Sequence, residues 1–110
     1  MQLAFATKRL RSLCEDDLLA RAELGNEAAV VLQRRLADID AASNVAELPP
    51  STGLVIRNQV GATERCIALN ADWVMTFCAN HFPVPMHVDG AVDWSHVTRV
   101  KILQIERADG

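Results

Sequence analysis

The stretch that decides the fold is Arg65-Cys66-Ile67-Ala68-Leu69-Asn70-Ala71-Asp72-Trp73-Val74-Met75-Thr76-Phe77. Two apolar runs flank the polar turn Asn70-Ala71-Asp72, which is the pattern of a β-hairpin. Ile67 and Leu69 alternate with Cys66 and Ala68, and beyond the turn Trp73, Met75 and Phe77 alternate with Val74, Thr76 and Cys78. Successive strand side chains point to opposite faces, so each arm offers one bulky face that needs a cover. A turn centred on Ala71 sets Cys66 against Thr76 rather than Cys78, so a disulfide between Cys66 and Cys78 would need a slipped register.

The cover is found upstream. Thr7 can cap a helix in which Leu10, Leu13 and Cys14 share one face and Lys8, Arg9 and Arg11 the other. Ser12 to Glu15 has capping-box spacing, and Asp16 and Asp17 suit a new helix start, so the helix is expected to break and resume through Leu18, Leu19 and Leu24 until Gly25. Asn26 can cap the longest helix, Glu27 to about Ala42, whose stripe Ala29, Leu32, Leu36 and Ile39 should lie on the sheet, with Gln33, Arg34 and Asp38 opposite. Asn44 to Glu47 has capping-box spacing for one more turn before Pro49-Pro50 stops it.

Strands are expected at Leu54 to Val60, Arg65 to Leu69, Trp73 to Cys78 and Val97 to Ile105, with a short first strand open at Gln2 to Ala6. Val97 to Ile105 is apolar on both alternating faces, as an interior strand is. Between them, Ala79 to Val92 holds two Pro and two His and reads as a loop, and Asp93-Trp94-Ser95-His96 as a short turn that presents Trp94 to the core. Helices first and strands after give an α+β fold.

The 110 residues allow a single domain, 1–110, with one core. Half of them are apolar and 23% are charged, which suits a folded globule and not a disordered chain. A net charge of -3 without a single-sign cluster argues against strong nonspecific attraction to nucleic acid or to acidic membranes. No run is long enough for a membrane span or for the apolar core of a signal peptide, and three scattered cysteines read as free buried thiols, so the expected location is cytoplasmic, with no membrane partner.

No nucleophile elbow, phosphate loop or Rossmann glycine pattern is present, and no cofactor is expected. His81, His87 and His96 match no ligand spacing and read as solvated loop residues, so no metal site is expected either. Asp16 and Asp17 serve a helix start, while Asp38 and Asp40 fall on opposite sides of theirs. The basic residues are more informative. Arg57, Arg65, Arg99, Lys101 and Arg107 sit on or beside expected strands, where they can either grip phosphates through forked hydrogen bonds or simply protect an edge.

Phe-Ala-Thr-Lys-Arg-Leu-Arg-Ser-Leu-Cys-Glu-Asp at 5–16, the hairpin, and Asp-Trp-Ser-His-Val-Thr-Arg-Val-Lys-Ile-Leu-Gln-Ile-Glu at 93–106 together resemble the RelE/ParE toxin superfamily, most closely its HigB-like branch of plasmid maintenance killer and killer suppression proteins. The resemblance runs over nearly the whole chain and is loosest from Pro49 to Thr63. It implies helices packed on a curved, mainly antiparallel sheet, and a toxin that cleaves mRNA on the ribosome until a co-encoded helix-turn-helix antitoxin neutralises it. By the same resemblance the active surface lies near the second hairpin strand and the end of the closing strand. There Arg65, Arg107 and Asp109 would serve catalysis, and Arg57, Arg99 and Lys101 would bind RNA.

The chain departs from the branch where chemistry is expected. An aromatic followed by Arg is usual in the second hairpin strand, but here Trp73 is followed by Val74; a Tyr-His-Gly ending is usual, but here the chain reads Ala108-Asp109-Gly110. The expectation is therefore a toxin-like protein whose mRNA endonuclease activity is weakened. The alternatives are a catalytically silent relative that binds an antitoxin or a toxin, and, with no feature of its own, a ParE-like gyrase inhibitor. Self-association as a homo-oligomer stays open.

Overall fold

A computed structural model describes residues 1–49, the strand at 54–55 and residues 63–108. The architecture is α+β: a first strand and three helices precede the remaining strands of one mixed, mainly antiparallel sheet. In chain order these are β1 (Gln2–Phe5), α1 (Lys8–Glu15), α2 (Asp17–Leu24), α3 (Asn26–Ala41), β2 (Leu54–Val55), β3 (Glu64–Ala68), β4 (Trp73–Ala79) and β5 (Arg99–Arg107). Short 3₁₀ turns occupy Val45–Glu47 and Trp94–His96. The sheet order is β1-β5-β4-β3-β2, with β1 parallel to β5 and the other neighbours antiparallel.

The hairpin of β3 and β4 has the register that its turn implies, with Cys66 opposite Thr76 and Ile67 opposite Met75. Asn70 makes the turn: its Oδ1 accepts hydrogen bonds from the N–H groups of Asp72 and Trp73, each at 2.9 Å, which mimics a backbone turn. Cys66 Sγ lies 3.4 Å from Thr76 Oγ1, and Cys14, Cys66 and Cys78 are free thiols. The interior position expected for the closing strand holds, since β5 lies between β1 and β4. Its start moves from Val97 to Arg99, because Trp94–His96 and the residues after it are taken up by the 3₁₀ turn. The rest of the expected strand beyond Val55, the loop from Pro50 to Gly53 and the turn at Gly61-Ala62 lie outside the described residues.

Thr7 caps α1, its hydroxyl accepting from the Leu10 N–H at 3.1 Å. The chain does break before α2, but the cap is Asp16 and not Ser12 of the capping-box spacing. Asp16 is extended, and its Oδ1 accepts from the N–H groups of Leu18 and Leu19. Gly25 then closes α2 and opens α3 in one residue, at φ +88°, a left-handed backbone that a side chain resists. With Gly25 in that role, Asn26 is the first helical residue and makes no cap bond, which corrects the expected Asn26 cap.

Ala28, Ala29, Leu32 and Ile39 of α3 are buried, whereas Leu36 of the expected stripe is only partly so. These side chains and Leu10, Leu13, Ala20 and Leu24 cover the bulky sheet face formed by Ile67, Leu69, Met75, Phe77, Val100 and Ile102. Val45 and Val97 close one end, joined by the Val45 N–H donating to the Val97 carbonyl at 3.1 Å. At the end of α3 the Met1 ammonium donates to the carbonyls of Ile39, Asp40 and Ala42 at 3.3, 3.0 and 2.7 Å, a positive charge where the helix dipole favours one. Among the described residues no helix is long and apolar enough to cross a membrane.

Candidate functional site

Register divides the sheet's functional candidates between two faces. Paired residues share a face, so Arg65, opposite Phe77, and Arg107, opposite Trp73, both lie on the helix-covered face with Met75. Val74, where the resemblance leads one to expect a cation, pairs with Glu106 and Ala68 on the outer face. Cys78 pairs with Lys101, and Arg99 stands two residues before it on the same outer face. A bulge in the β4–β5 pairing between Thr76 and Phe77 admits one extra β5 residue, Leu103, without disturbing this division.

The structure does not bring Arg65 and Arg107, two of the three expected catalytic residues, together. Arg65 and Arg107 pair with residues four apart on β4, which is about 13 Å along a strand, too far for one phosphate. Each guanidinium instead lies over an indole, Arg65 at 4.5 Å from the Trp94 ring centre and Arg107 at 4.9 Å from that of Trp73. Trp94 meets Phe77 edge to face at 6.4 Å, so the turn at 93–96 does present it to the core, and burial lowers the pKa of Arg65. Asp109 and Arg57 lie outside the described residues. Arg99 and Lys101, expected to bind RNA, do share a face, but Glu64 and Glu106 stand on it as well.

Around Val74 the outer face is apolar and neutral apart from Glu106. Val74 is only 8% exposed, and Cys66 and Thr76 beside it are more deeply buried. The Cys78 thiol is pushed up chiefly by burial, with Lys101 pulling it down and Glu64 pushing it up. A hydrogen-bonded cluster of Asp93, Ser95 and His96 stands elsewhere. Asp93 accepts from the Ser95 N–H at 3.2 Å and from the Ser95 hydroxyl, and its Oδ2 lies 2.6 Å from His96 Nδ1. The Ser95 hydrogen bonds, with smaller contributions from His96 and His87, hold the Asp93 carboxyl below its usual range.

His96 is thus oriented by Asp93 and still largely in solvent, its side chain 75% exposed, as expected of a loop histidine, with its other ring nitrogen outside the Asp93 contact. The signal for it in the sequence was the Asp-x-x-His spacing, which one 3₁₀ turn brings together. His81 is likewise engaged: its Nε2 accepts from the N–H groups of Thr98 and Arg99 at 3.0 and 3.2 Å, which requires the proton on Nδ1. The spacing in sequence between 81 and 98 gave no hint of that. Among the described residues no group of three or more His, Cys, Asp or Glu side chains could hold a metal ion.

No protein-family model, no curated protein and no solved structure matches the chain. The class defined by the fold is α+β, with three helices among the described residues packed on a mixed, mainly antiparallel sheet.

Proposed function

We propose that the chain is the toxin-like component of a type II toxin–antitoxin pair, a RelE/HigB-like mRNA interferase with weakened catalysis, and that it works chiefly by binding its cognate antitoxin. The resemblance of segments 5–16 and 93–106 to the HigB-like branch carries the class, and the order of helices before strands agrees with it. Val74 carries the weakening. Cleavage through the ribose 2′-hydroxyl needs a base, an acid and cations on the phosphate. Valine supplies none of these, and the side chain across from it is the carboxylate of Glu106, which repels an anionic substrate. Arg65 and Arg107 hold cations on the other face, and guanidinium is a poor proton donor at ordinary pH.

Induced expression without its genetic neighbour tests the reading, scored for growth arrest and for mRNA cleavage on translating ribosomes. The expected result is weak or absent cleavage by the wild type, with release of the cell from any arrest when a neighbouring helix-turn-helix protein is supplied. The combined change Val74→Arg, Ala108→Tyr and Asp109→His should raise cleavage by about 10² to 10⁴, the usual worth of general acid–base assistance. Robust wild-type cleavage abolished by Arg107→Ala would overturn the assignment of a weakened site. Absence of any arrest, cleavage or antitoxin binding would overturn the toxin reading itself.

A further inference from the structure

The first strand leaves half of its main chain without a partner. β1 is an edge of the sheet and is joined only to β5. In that parallel pairing the N–H of Gln2 donates to the Thr98 carbonyl at 3.1 Å and that of Ala6 to the Ile102 carbonyl at 2.9 Å, so Gln2, Ala4 and Ala6 turn toward β5. Leu3 and Phe5 turn the other way, and among the described residues no hydrogen bond reaches their N–H and C=O groups. Neither a lysine, a proline nor a bulge blunts this edge; only its length of 4 residues limits it.

Unpaired cations flank the edge on both faces of the sheet. On the outer face Gln2 and Ala4 lie beside Arg99 and Lys101, one strand in from the edge. The carboxylates of that face stand further off, Glu64 across β4 and Glu106 at the far end of β5. On the helix-covered face the Arg11 guanidinium lies 5.3 Å from the Phe5 ring centre, with Lys8 one turn before it on α1. None of these four cations makes an ion pair among the described residues, and Glu15, one turn past Arg11, pairs with neither cation of α1. Lys8 also opposes the dipole at the start of α1, a local cost without local return. In a chain of net charge -3 this edge is a local excess of positive charge.

We propose that the open edge of β1 receives an extended acidic segment of a partner protein, which adds to the sheet as a further strand. Main-chain hydrogen bonds to Leu3 and Phe5 supply the docking, and alternation supplies the selectivity. Residues of the segment on the outer face are carboxylates directed to Arg99 and Lys101, and those between them are apolar, beside the partly buried Leu3 and Phe5. From β5 to the added strand is two strand spacings, about 10 Å, which a long cationic side chain and a glutamate span together. A second copy of the chain is a poor occupant, because it would bring the same cations together. So short a strand offers few bonds, and the Kd is on the order of 10–100 µM, weaker at high salt. This goes beyond the toxin reading and does not depend on it.

Titration of the isotope-labelled chain with a short blocked peptide that alternates glutamate and valine, followed by NMR and amide exchange, tests the proposal. The expected result is that the Leu3 and Phe5 amides gain protection on binding, beside an Ala4 amide protected throughout. The double variant Arg99→Glu and Lys101→Glu, which keeps Leu3 and Phe5, should bind about tenfold more weakly or worse, and circular dichroism checks that it folds. A peptide N-methylated along its main chain, or one with lysine in place of glutamate, should lose at least about tenfold as well. Failure to bind at about 1 mM, binding that leaves the Leu3 and Phe5 amides unprotected, or equal binding of the methylated or the lysine peptide would each overturn the proposal. So would protection of those amides by raising the concentration of the chain alone, which marks a second copy as the occupant. Displacement of the peptide by a short single-stranded RNA that binds more tightly would overturn it too, because the cations would then serve nucleic acid.

Discussion

Leu32 and Leu36 stand one turn apart on α3 and belong to the same apolar stripe of the sequence, yet the structure buries the first completely and the second only in part. Changing each to alanine should therefore have unequal costs. Leu32→Ala removes three buried carbons, about 2.4 kcal/mol of transfer free energy at roughly 0.8 kcal/mol each. It also leaves a cavity that the sheet side chains cannot fill, which brings the total to about 3–5 kcal/mol. At Leu36 about half the transfer term applies, no closed cavity forms, and alanine's higher helix propensity returns about 0.2 kcal/mol, for a net cost near 1 kcal/mol. Urea unfolding followed by circular dichroism reads both, provided the slope with denaturant is unchanged. Since a domain of this size holds about 5–15 kcal/mol in all, Leu32→Ala should lower the thermal midpoint by more than 10 °C and Leu36→Ala by about 4 °C. Equal costs at the two positions, or a Leu32→Ala cost under about 1 kcal/mol, would refute the orientation of α3 on the sheet.

Thiol reactivity should follow burial: with a thiol reagent near neutral pH, half-buried Cys78 reacts first, and Cys14 and Cys66 only on unfolding, as mass mapping of the labelled sites would record. The Cys14 thiol is pushed up to about 11, first by burial and then by the Glu15 charge, so its contribution to stability is complete below the ordinary value of 9.0 and is lost as pH rises toward 11. Asp93 has the opposite sign. Its pKa is lowered in the folded state, so its contribution is present above the ordinary carboxylate value and disappears as pH falls through the folded one, loosening the turn at 93–96; a lower amide-exchange protection factor at Ser95 in acid, copied at neutral pH by Asp93→Asn, is the expected record. Asn70→Ala removes both turn hydrogen bonds and should cost about 1–2 kcal/mol in the same urea assay, while Asn70→Asp, which keeps the acceptor, should cost much less.

Local rules of chain geometry made much of the fold legible from residue order alone. Period two in 65–77, with Asn70 at the turn, is enough to set Cys66 against Thr76, because a turn of given length admits one register. Thr7, Asp16 and Gly25 mark helix ends through hydrogen bonds and a backbone angle that involve only a few neighbouring residues. The pairing of β1 with β5 in parallel is different in kind, since it joins residues almost a hundred positions apart and no local pattern encodes it. The same holds for the site. That Arg65 and Arg107 carry charge near strand ends is written in the sequence, but their placement on opposite sides of β4, about 13 Å apart along it, follows only from the register of three strands. Likewise Leu10 and Trp73 can each be read singly, whereas the groove they line exists only where α1, α2, β4 and β5 converge. Tertiary structure alone could decide these points, because alternation assigns a face to a side chain while only the packing of distant elements decides what shares that face.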